Sequence, residues 1–268
     1  MIDSTLTNNK PIIMGIINAT PDSFYDGGIA FDDNALNKII DEFNLLGVEM
    51  IDVGGESSKP GASEISSDEE IERLSNVLPQ IINQSNAIIS VDTTKYDVAK
   101  YALDQGVSYI NDISGAASED TLKLIADHNA GIIIMHKQGS PKTMQKNPQY
   151  EDVVSEIKQF LSKKIKLAQS FGIQSIIIDP GIGFGKTLEH NLLILKHIDE
   201  FLDLNVPILI GTSNKSFIEH ITGASINERI PGSIASVIAT YQKGAHIFRV
   251  HNVKETIQAL DVFKAINE

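Results

Sequence analysis

The 268-residue chain contains no cysteine, which excludes disulfides, thiolate metal sites and cysteine nucleophiles together. Positive charge is scarce as well: 22 Lys and Arg stand against 35 Asp and Glu, a formal net charge of −13. That balance argues against nucleic acid or an anionic membrane surface as the main partner, although a local cluster of cations can still hold a small anion. No apolar run approaches the roughly 18 residues that a membrane span needs. The first ten residues, MIDSTLTNNK, have no basic stretch leading into an apolar one, so no secretory leader and a cytoplasmic location are expected. Two catalytic patterns are absent too, the H-E-x-x-H zinc pair and the G-x-S-x-G nucleophile elbow.

What is present is a rhythm. Hydrophobic residues make up 42% of the chain, enough for a large buried core, and they recur as short β-branched runs that each end in a polar residue. Strands are predicted at Ile12–Asn18, 50–53, Ile88–Asp92, Tyr109–Asp112, 132–136, 175–179, 208–212 and 247–251. Helical patterns follow at 34–46, 68–82, Tyr96–Asp104, 120–129, 153–171, 189–201, 232–243 and 253–266. The runs are nearly continuous rather than alternating, as in parallel strands covered on both faces. Ser67 and Glu70 read as a capping box, and Gly47, Gly106, Gly131 and Gly172 as positive-φ helix ends. Eight βα units without a linker favour a single-domain α/β TIM (β/α)8 barrel, its core at about 11–266, over a doubly wound sheet built from the same units.

In a barrel the strand ends surround one mouth, where active sites of this fold lie. The polar residues there are Asn18, Asp52, Asp92, Asn111, Asp112, His136, Asp179, Lys215, Arg249 and His251. Any one Asp or Asn could instead cap a loop, and either His could be an ordinary hydrogen-bonded residue, but so many polar groups at one mouth need partners. The stretch DPGIGFGKT at 179–187 fits neither a Walker A loop, since Pro180 stands where the first Gly is required, nor G-x-G-x-x-G, since its glycines are spaced G-x-G-x-G. Its glycines suit a close backbone approach to a planar ligand.

MGIINATPDSF at 14–24 resembles the first signature of the dihydropteroate synthases, and DVGGESSKPG at 52–61 the second. SVDT at 90–93, NDI at 111–113, MH at 135–136, PKTMQ at 141–145, DPGIGFGK at 179–186, SNKSF at 213–217 and RVH at 249–251 continue the resemblance in order, from about Pro11 to Lys264. Members of that family are TIM-barrel homodimers of folate biosynthesis and sulfonamide targets. They join the diphosphate ester of 6-hydroxymethyl-7,8-dihydropterin to p-aminobenzoate and release pyrophosphate in an SN1-like reaction.

The resemblance implies a role for each matching residue. Asp179 would take the pterin amino group and ring N–H with its two oxygens, with Asp92 and Asn111 on the remaining ring edge. Lys215 would donate to the ring carbonyl, Arg249 would stack on the ring, and Ile113 and Met135 would line its faces. Asn18, Ser58, Lys59, Arg249 and His251 would meet the pyrophosphate, with Asn18 also the protein ligand of Mg²⁺. Phe24, Pro60 and Phe184 would surround the p-aminobenzoate ring beside Ser58, Lys59 and Lys215, with Ser213 near its carboxylate at a helix N-terminus.

The second loop departs from the usual Ser-Thr-Arg-Pro-Gly of the family. Lys59 keeps the charge but lacks a planar fork, and Ser58 lacks the methyl that restricts its rotamer. A raised Michaelis constant for p-aminobenzoate is expected, with activity retained. Asn214, Asn252 and Lys137 also replace the commoner Arg, Asp and apolar residue. Two rival readings remain: a methyltransferase using a methyl-bearing reduced folate, which has no need of Lys59 or the Arg249/His251 phosphate site, and a pterin-binding paralogue without turnover.

Overall fold

The computed structural model describes residues 10–20, 25–26, 30–31, 33–57, 62–139, 144–145 and 147–267. Eight parallel strands appear where the apolar runs predict them: β1 (Ile12–Asn18), β2 (Met50–Gly54), β3 (Ile88–Asp92), β4 (Tyr109–Asp112), β5 (Gly131–Met135), β6 (Ile176–Asp179), β7 (Leu209–Ile210) and β8 (Ile247–Val250). Each pairs with its sequence neighbour from β1 to β6, while β8 lies between β1 and β7. A parallel bridge between Ile178 and Ile208 joins β6 to the start of β7 and closes the ring, with the Ile178 N–H donating to the Pro207 carbonyl at 3.0 Å. The doubly wound alternative is therefore excluded, and the chain is a TIM barrel.

The connecting helices are α1 (Asp33–Leu46), α2 (Ser67–Ser75), α3 (Leu78–Gln84), α4 (Tyr96–Asp104), α5 (Glu119–Asp127), α6 (Val153–Ser170), α7 (Leu188–Lys196), α8 (Ser216–Thr222), α9 (Ile230–Tyr241) and α10 (Val253–Asn267). α8 has no counterpart among the predicted segments, and two predicted helices change extent. The helix predicted over 68–82 is split into α2 and α3, because Pro79 has no N–H and is accommodated only in a first turn, where it stands in α3. The helix predicted over 189–201 ends at Lys196, and His197 turns the chain into a 3₁₀ segment, Ile198–Leu204.

Local signals also need correction. The cap of α2 is Ser66, whose hydroxyl accepts from the Glu69 N–H at 3.1 Å, and not Ser67. Glu70, the residue that would have closed a box on Ser67, is instead buried and accepts from Lys95 Nζ at 2.5 Å. Gly47, Gly106 and Gly172 do take positive φ, but Gly131 does not; that turn is made by Asn129 at φ 52°. Gly131 serves a different need, since a Cβ there would lie 2.2 Å from the ring of Tyr109.

The core has two parts, and strand alternation explains both. Ile13, Ile51, Ile89, Ile110, Ile132, Ile176, Ile208 and Phe248 point outward and pack under the helices. Ile12, Met14, Met50, Tyr109, Ile133, Ile177, Leu209 and Ile247 form a separate cluster that fills the barrel interior. This inner cluster is a plug. Two or four residues further along most of these strands, on the same inward parity, stand Asn18, Asp52, Ser90, Asp92, Asn111, Met135, Asp179, Arg249 and His251. The fold thus sets a predominantly polar layer directly above an apolar floor. Among the described residues, no helix is long and apolar enough to cross a membrane.

Candidate active site

Asp52 is the hub of that layer. It is fully buried, and its Oδ2 accepts from Arg249 Nε at 2.6 Å and from Asn111 Nδ2 at 3.0 Å. The far end of the same guanidinium donates to Asp92 Oδ2 at 3.3 Å, and Asp92 in turn lies beside Asn111 in the β3–β4 register. One arginine therefore spans two carboxylates. Two carboxylates this close in a buried site resist ionising together, so burial and then the charge of Asp52 push the Asp92 carboxyl up to about 7, against the pull of Arg249.

Asp179 ends β6. Its Oδ1 accepts from the Gly181 N–H at 2.7 Å, which leaves Oδ2 without a donor among the described residues. Burial raises its carboxyl above the usual range, opposed by that N–H and by the charges of Lys215, Lys186 and Arg249. Lys215 donates to the Ile182 carbonyl at 2.8 Å and stands 4.1 Å from the centre of the Phe184 ring. Burial lowers its amine to about 8, with Asp179 as the main opposing charge. Three carboxylates thus meet two cations around the mouth. The surplus is in acceptors, which suits a ligand edge rich in N–H donors.

The other candidates take these places. Met135 is buried at the end of β5, paired in register with Asp179, and Ile113 is half-buried just beyond β4. Asn18 ends β1 opposite Gly54 in the β1–β2 register. Ser213 is buried, and its hydroxyl accepts from the His251 N–H at 3.2 Å and meets the ring Nδ1 of the exposed His251 at 3.0 Å. The following helix begins at Ser216 with Lys215 as its N-cap, so Ser213 precedes the helix rather than occupying its N-terminus as expected. Phe24, Ser58, Lys59 and Pro60 lie outside the described residues.

Two strand-end residues have structural roles, and both sit on the outward parity. Asp112 accepts from the N–H groups of Ser114 and Ala116 at 2.7 and 3.0 Å and so caps its own turn. His136 is buried edge-on against Phe160, with ring centres 5.0 Å apart, and burial, then Lys186, lowers its imidazole to about 3. Conversely, sequence reasoning gave no role to Asp52, Ser90 or Lys186. β-branched residues stand on both faces of these strands, so only the folded barrel shows that Asp52 and Ser90 share the parity of the inner cluster.

Among the described residues no group of three or more His, Asp or Glu could hold a metal ion. Asn18 contributes an amide oxygen at the mouth, close to Gly54 and Asp92: a Cβ built on Gly54 would be in ordinary contact, at 3.8 Å, with both Asn18 Oδ1 and Asp92 Cβ. A single neutral oxygen of this kind fits only an ion bound chiefly by ligand phosphates, which needs one or two protein oxygens.

Residues 14–251 match the family model described as pterin binding enzyme. Dihydropteroate synthase of Escherichia coli strain K12 is 40% identical over 267 residues, spanning 98% of this chain and 94% of that protein. The crystal structure of the Yersinia pestis dihydropteroate synthase with a sulfonamide drug complex superposes with a TM-score of 0.90 at 36% identity, covering 99% of this chain and 96% of that one. That of the Thermus thermophilus enzyme in complex with 4-aminobenzoate gives 0.86 at 34% identity, covering 96% and 95%.

Proposed function

The chain belongs to the pterin binding enzymes, and from that membership we propose that it performs the dihydropteroate synthase reaction, condensing (7,8-dihydropterin-6-yl)methyl diphosphate with p-aminobenzoate. The observation that carries this reading is the inward-facing set of Asp92, Asn111, Asp179, Lys215 and Arg249 above the apolar plug. A pterin has an amino group and a ring N–H side by side, and a carboxylate such as Asp179 meets both with its two oxygens. Asp92 and Asn111 bond the remaining edge, Lys215 the ring carbonyl, while Ile113 and Met135 cover the ring faces.

In the reaction the C–O bond between the pterin methylene and the diphosphate breaks, and the electron pair leaves with pyrophosphate. The aromatic amine then bonds to the methylene carbon and loses a proton. Arg249, already held flat by Asp52 and Asp92, together with His251, Asn18, Ser58 and Lys59, receives the diphosphate charge as it develops. The carboxylates of Asp92 and Asp179, on the ring edges, stabilise the positive charge that spreads from the methylene into the pterin ring between departure and attack. Phe24, Pro60 and Phe184 exclude water from it and, with Ser58, Lys59, Lys215 and Ser213, seat the p-aminobenzoate. Mg²⁺, held by Asn18 Oδ1 and the diphosphate oxygens, would supply further charge neutralisation at the leaving group.

A homodimer and a cytoplasmic location belong to the same reading. The dimer is supported by exposed Leu192 and Leu193 on α7, Ile221 on α8 and Ile226 just beyond, on neighbouring elements of one side of the barrel. Sedimentation of the purified chain tests it.

Pyrophosphate release from the dihydropterin ester with Mg²⁺, measured with and without p-aminobenzoate, tests the activity. Release that requires the amine and yields dihydropteroate supports the reading. Tight pterin binding with no release would identify a binding paralogue, and methyl transfer from a reduced folate would identify the methyltransferase.

A further inference from the structure

Lys186 is a buried cation that the reaction above does not use. It is 2% exposed, and its Nζ donates to the carbonyls of Gly181 at 2.8 Å, Phe184 at 2.9 Å and His136 at 3.3 Å, with His136 Nδ1 a fourth acceptor at 3.1 Å. Four acceptors around one nitrogen, with no competing donor among the described residues, is the arrangement of an ammonium group. Burial lowers its amine to about 7, with Asp179 pulling the other way and Lys215 adding to the fall; hydrogen bonds from the ammonium to carbonyls favour the protonated form.

The turn held by this ammonium is the one that carries Asp179 and Phe184. The Gly181 residue faces two ways: its carbonyl accepts from Lys186, and its N–H donates to Asp179 Oδ1 at 2.7 Å. The Phe184 carbonyl is bound by the same ammonium, and the Phe184 ring lies beneath Lys215. The turn is also pressed against the chain after β5: a Cβ on Gly181 would lie 1.9 Å from the His136 carbonyl oxygen, and one on Gly185 2.2 Å from that of Gln138. Two backbones in such contact present carbonyls to one another, and a buried cation between them removes the repulsion.

We infer that Lys186 is a positioning residue of the site, fixing the 179–186 turn so that the Asp179 carboxylate and the Phe184 ring face the ligand. The inference rests on the pterin-binding reading above. Without the ammonium, the carbonyls of Gly181 and Phe184 are left buried and unpaired, and the peptides rotate to find donors. The Gly181 carbonyl and N–H belong to the two peptides flanking one α-carbon, so releasing the carbonyl loosens that α-carbon and with it the N–H that holds Asp179, the carboxylate that meets the ligand.

The test is Lys186→Met, which keeps the length of the side chain, compared with Gly172→Ala, a distant backbone perturbation with nothing within 4 Å of the added carbon. Affinity for 6-hydroxymethyl-7,8-dihydropterin diphosphate is measured by calorimetry on folded protein, and KM and kcat are measured for both substrates. Lys186→Met is expected to weaken pterin binding at least about tenfold, equivalent to about 1.4 kcal/mol, and to raise KM for the pterin ester more than it lowers kcat. Gly172→Ala should leave both unchanged, whatever its cost in thermal stability. If Lys186→Met does not fold, Lys186→Gln, which keeps N–H donors without the charge, is read by the same ratio. Pterin affinity equal to that of the parent in a folded Lys186 variant overturns the inference. A parent chain that binds no pterin diphosphate overturns the functional reading instead.

Discussion

Asp52→Asn separates the two opposing jobs of the buried carboxylate. The amide can turn its oxygen towards Arg249 and Asn111, replacing the bonds of 2.6 and 3.0 Å, but it loses the charge. Its NH₂ then occupies the place of Oδ1, which has no hydrogen-bond partner, and becomes a buried unpaired donor. Hydrogen bonds to charged groups contribute about 1.5–3 kcal/mol each, so a loss of that order is expected where nothing offsets it. What offsets it is Asp92. Its carboxyl is held up at about 7, by burial first and by Asp52 second, so its folded-state value lies above the ordinary 3.8. Such a group contributes stability that is fully present below the unfolded value and is lost as pH rises through the folded one. Removing the Asp52 charge lowers the Asp92 value and reduces that loss. The variant should therefore be destabilised by about 1.5–3 kcal/mol at pH 5.5, where Asp92 is protonated in the parent. The gap should narrow by pH 8.5. Urea unfolding of both ligand-free proteins at the two pH values measures it. A gap that is absent at pH 5.5, or that widens at pH 8.5, would refute the assignment of Asp52 as both partner of Arg249 and antagonist of Asp92.

Three further outcomes are expected. Gly131→Ala should cost about 1–3 kcal/mol of stability by overpacking, since its Cβ would meet the Tyr109 ring at 2.2 Å and the Ser175 carbonyl oxygen at 2.8 Å; thermal unfolding at unchanged stability would sink that account. The His136 ring should show no NMR titration between pH 5 and 8, because burial, then Lys186, lowers it to about 3. Its depressed value contributes stability that is present above pH 6.5 and lost as pH falls through about 3, and a midpoint near 6.5 would contradict the buried, neutral ring. Finally, Lys59→Arg with Ser58→Thr should lower KM for p-aminobenzoate by restoring a planar fork and a restricted rotamer, with kcat little changed; an unaltered KM would mean that neither residue tunes that site.

The barrel was legible because parallel strands covered on both faces leave near-continuous apolar runs, and each of the eight is followed by a helix-period segment. The errors came from features whose sequence signal is shared by two physical causes. A glycine after a helix can supply a positive φ or an absent side chain, and Gly131 supplies the second while Asn129 supplies the first. A serine three residues before a glutamate suggests a capping box, yet Glu70 is drawn inward by Lys95, a partner 25 residues away that no local pattern reveals. The break between α2 and α3 is legible in the sequence, since Pro79 alone forbids a continuous helix there.

The site was legible as a set of strand-end residues but not as an arrangement, and the difference lies in parity. Asn111 and Asp112 are adjacent and both polar, yet one bonds Asp52 across the mouth and the other caps a turn on the outside. The same division separates Met135 from His136. Because the inner plug is apolar, each strand reads as an unbroken hydrophobic run, and the alternation that would assign faces is hidden until Tyr109, Met14 and Met50 are seen to form a cluster distinct from Ile110, Ile13 and Ile51. Lys186 was hidden for a different reason. Its neighbours are mostly backbone carbonyls, which every sequence possesses, so only the folded turn shows that its ammonium has four acceptors. A residue that acts on side chains leaves a pattern of residue types, whereas one that acts on the main chain leaves none. Positioning residues of the second kind are therefore to be sought in buried charges whose partners are peptide groups next to a site.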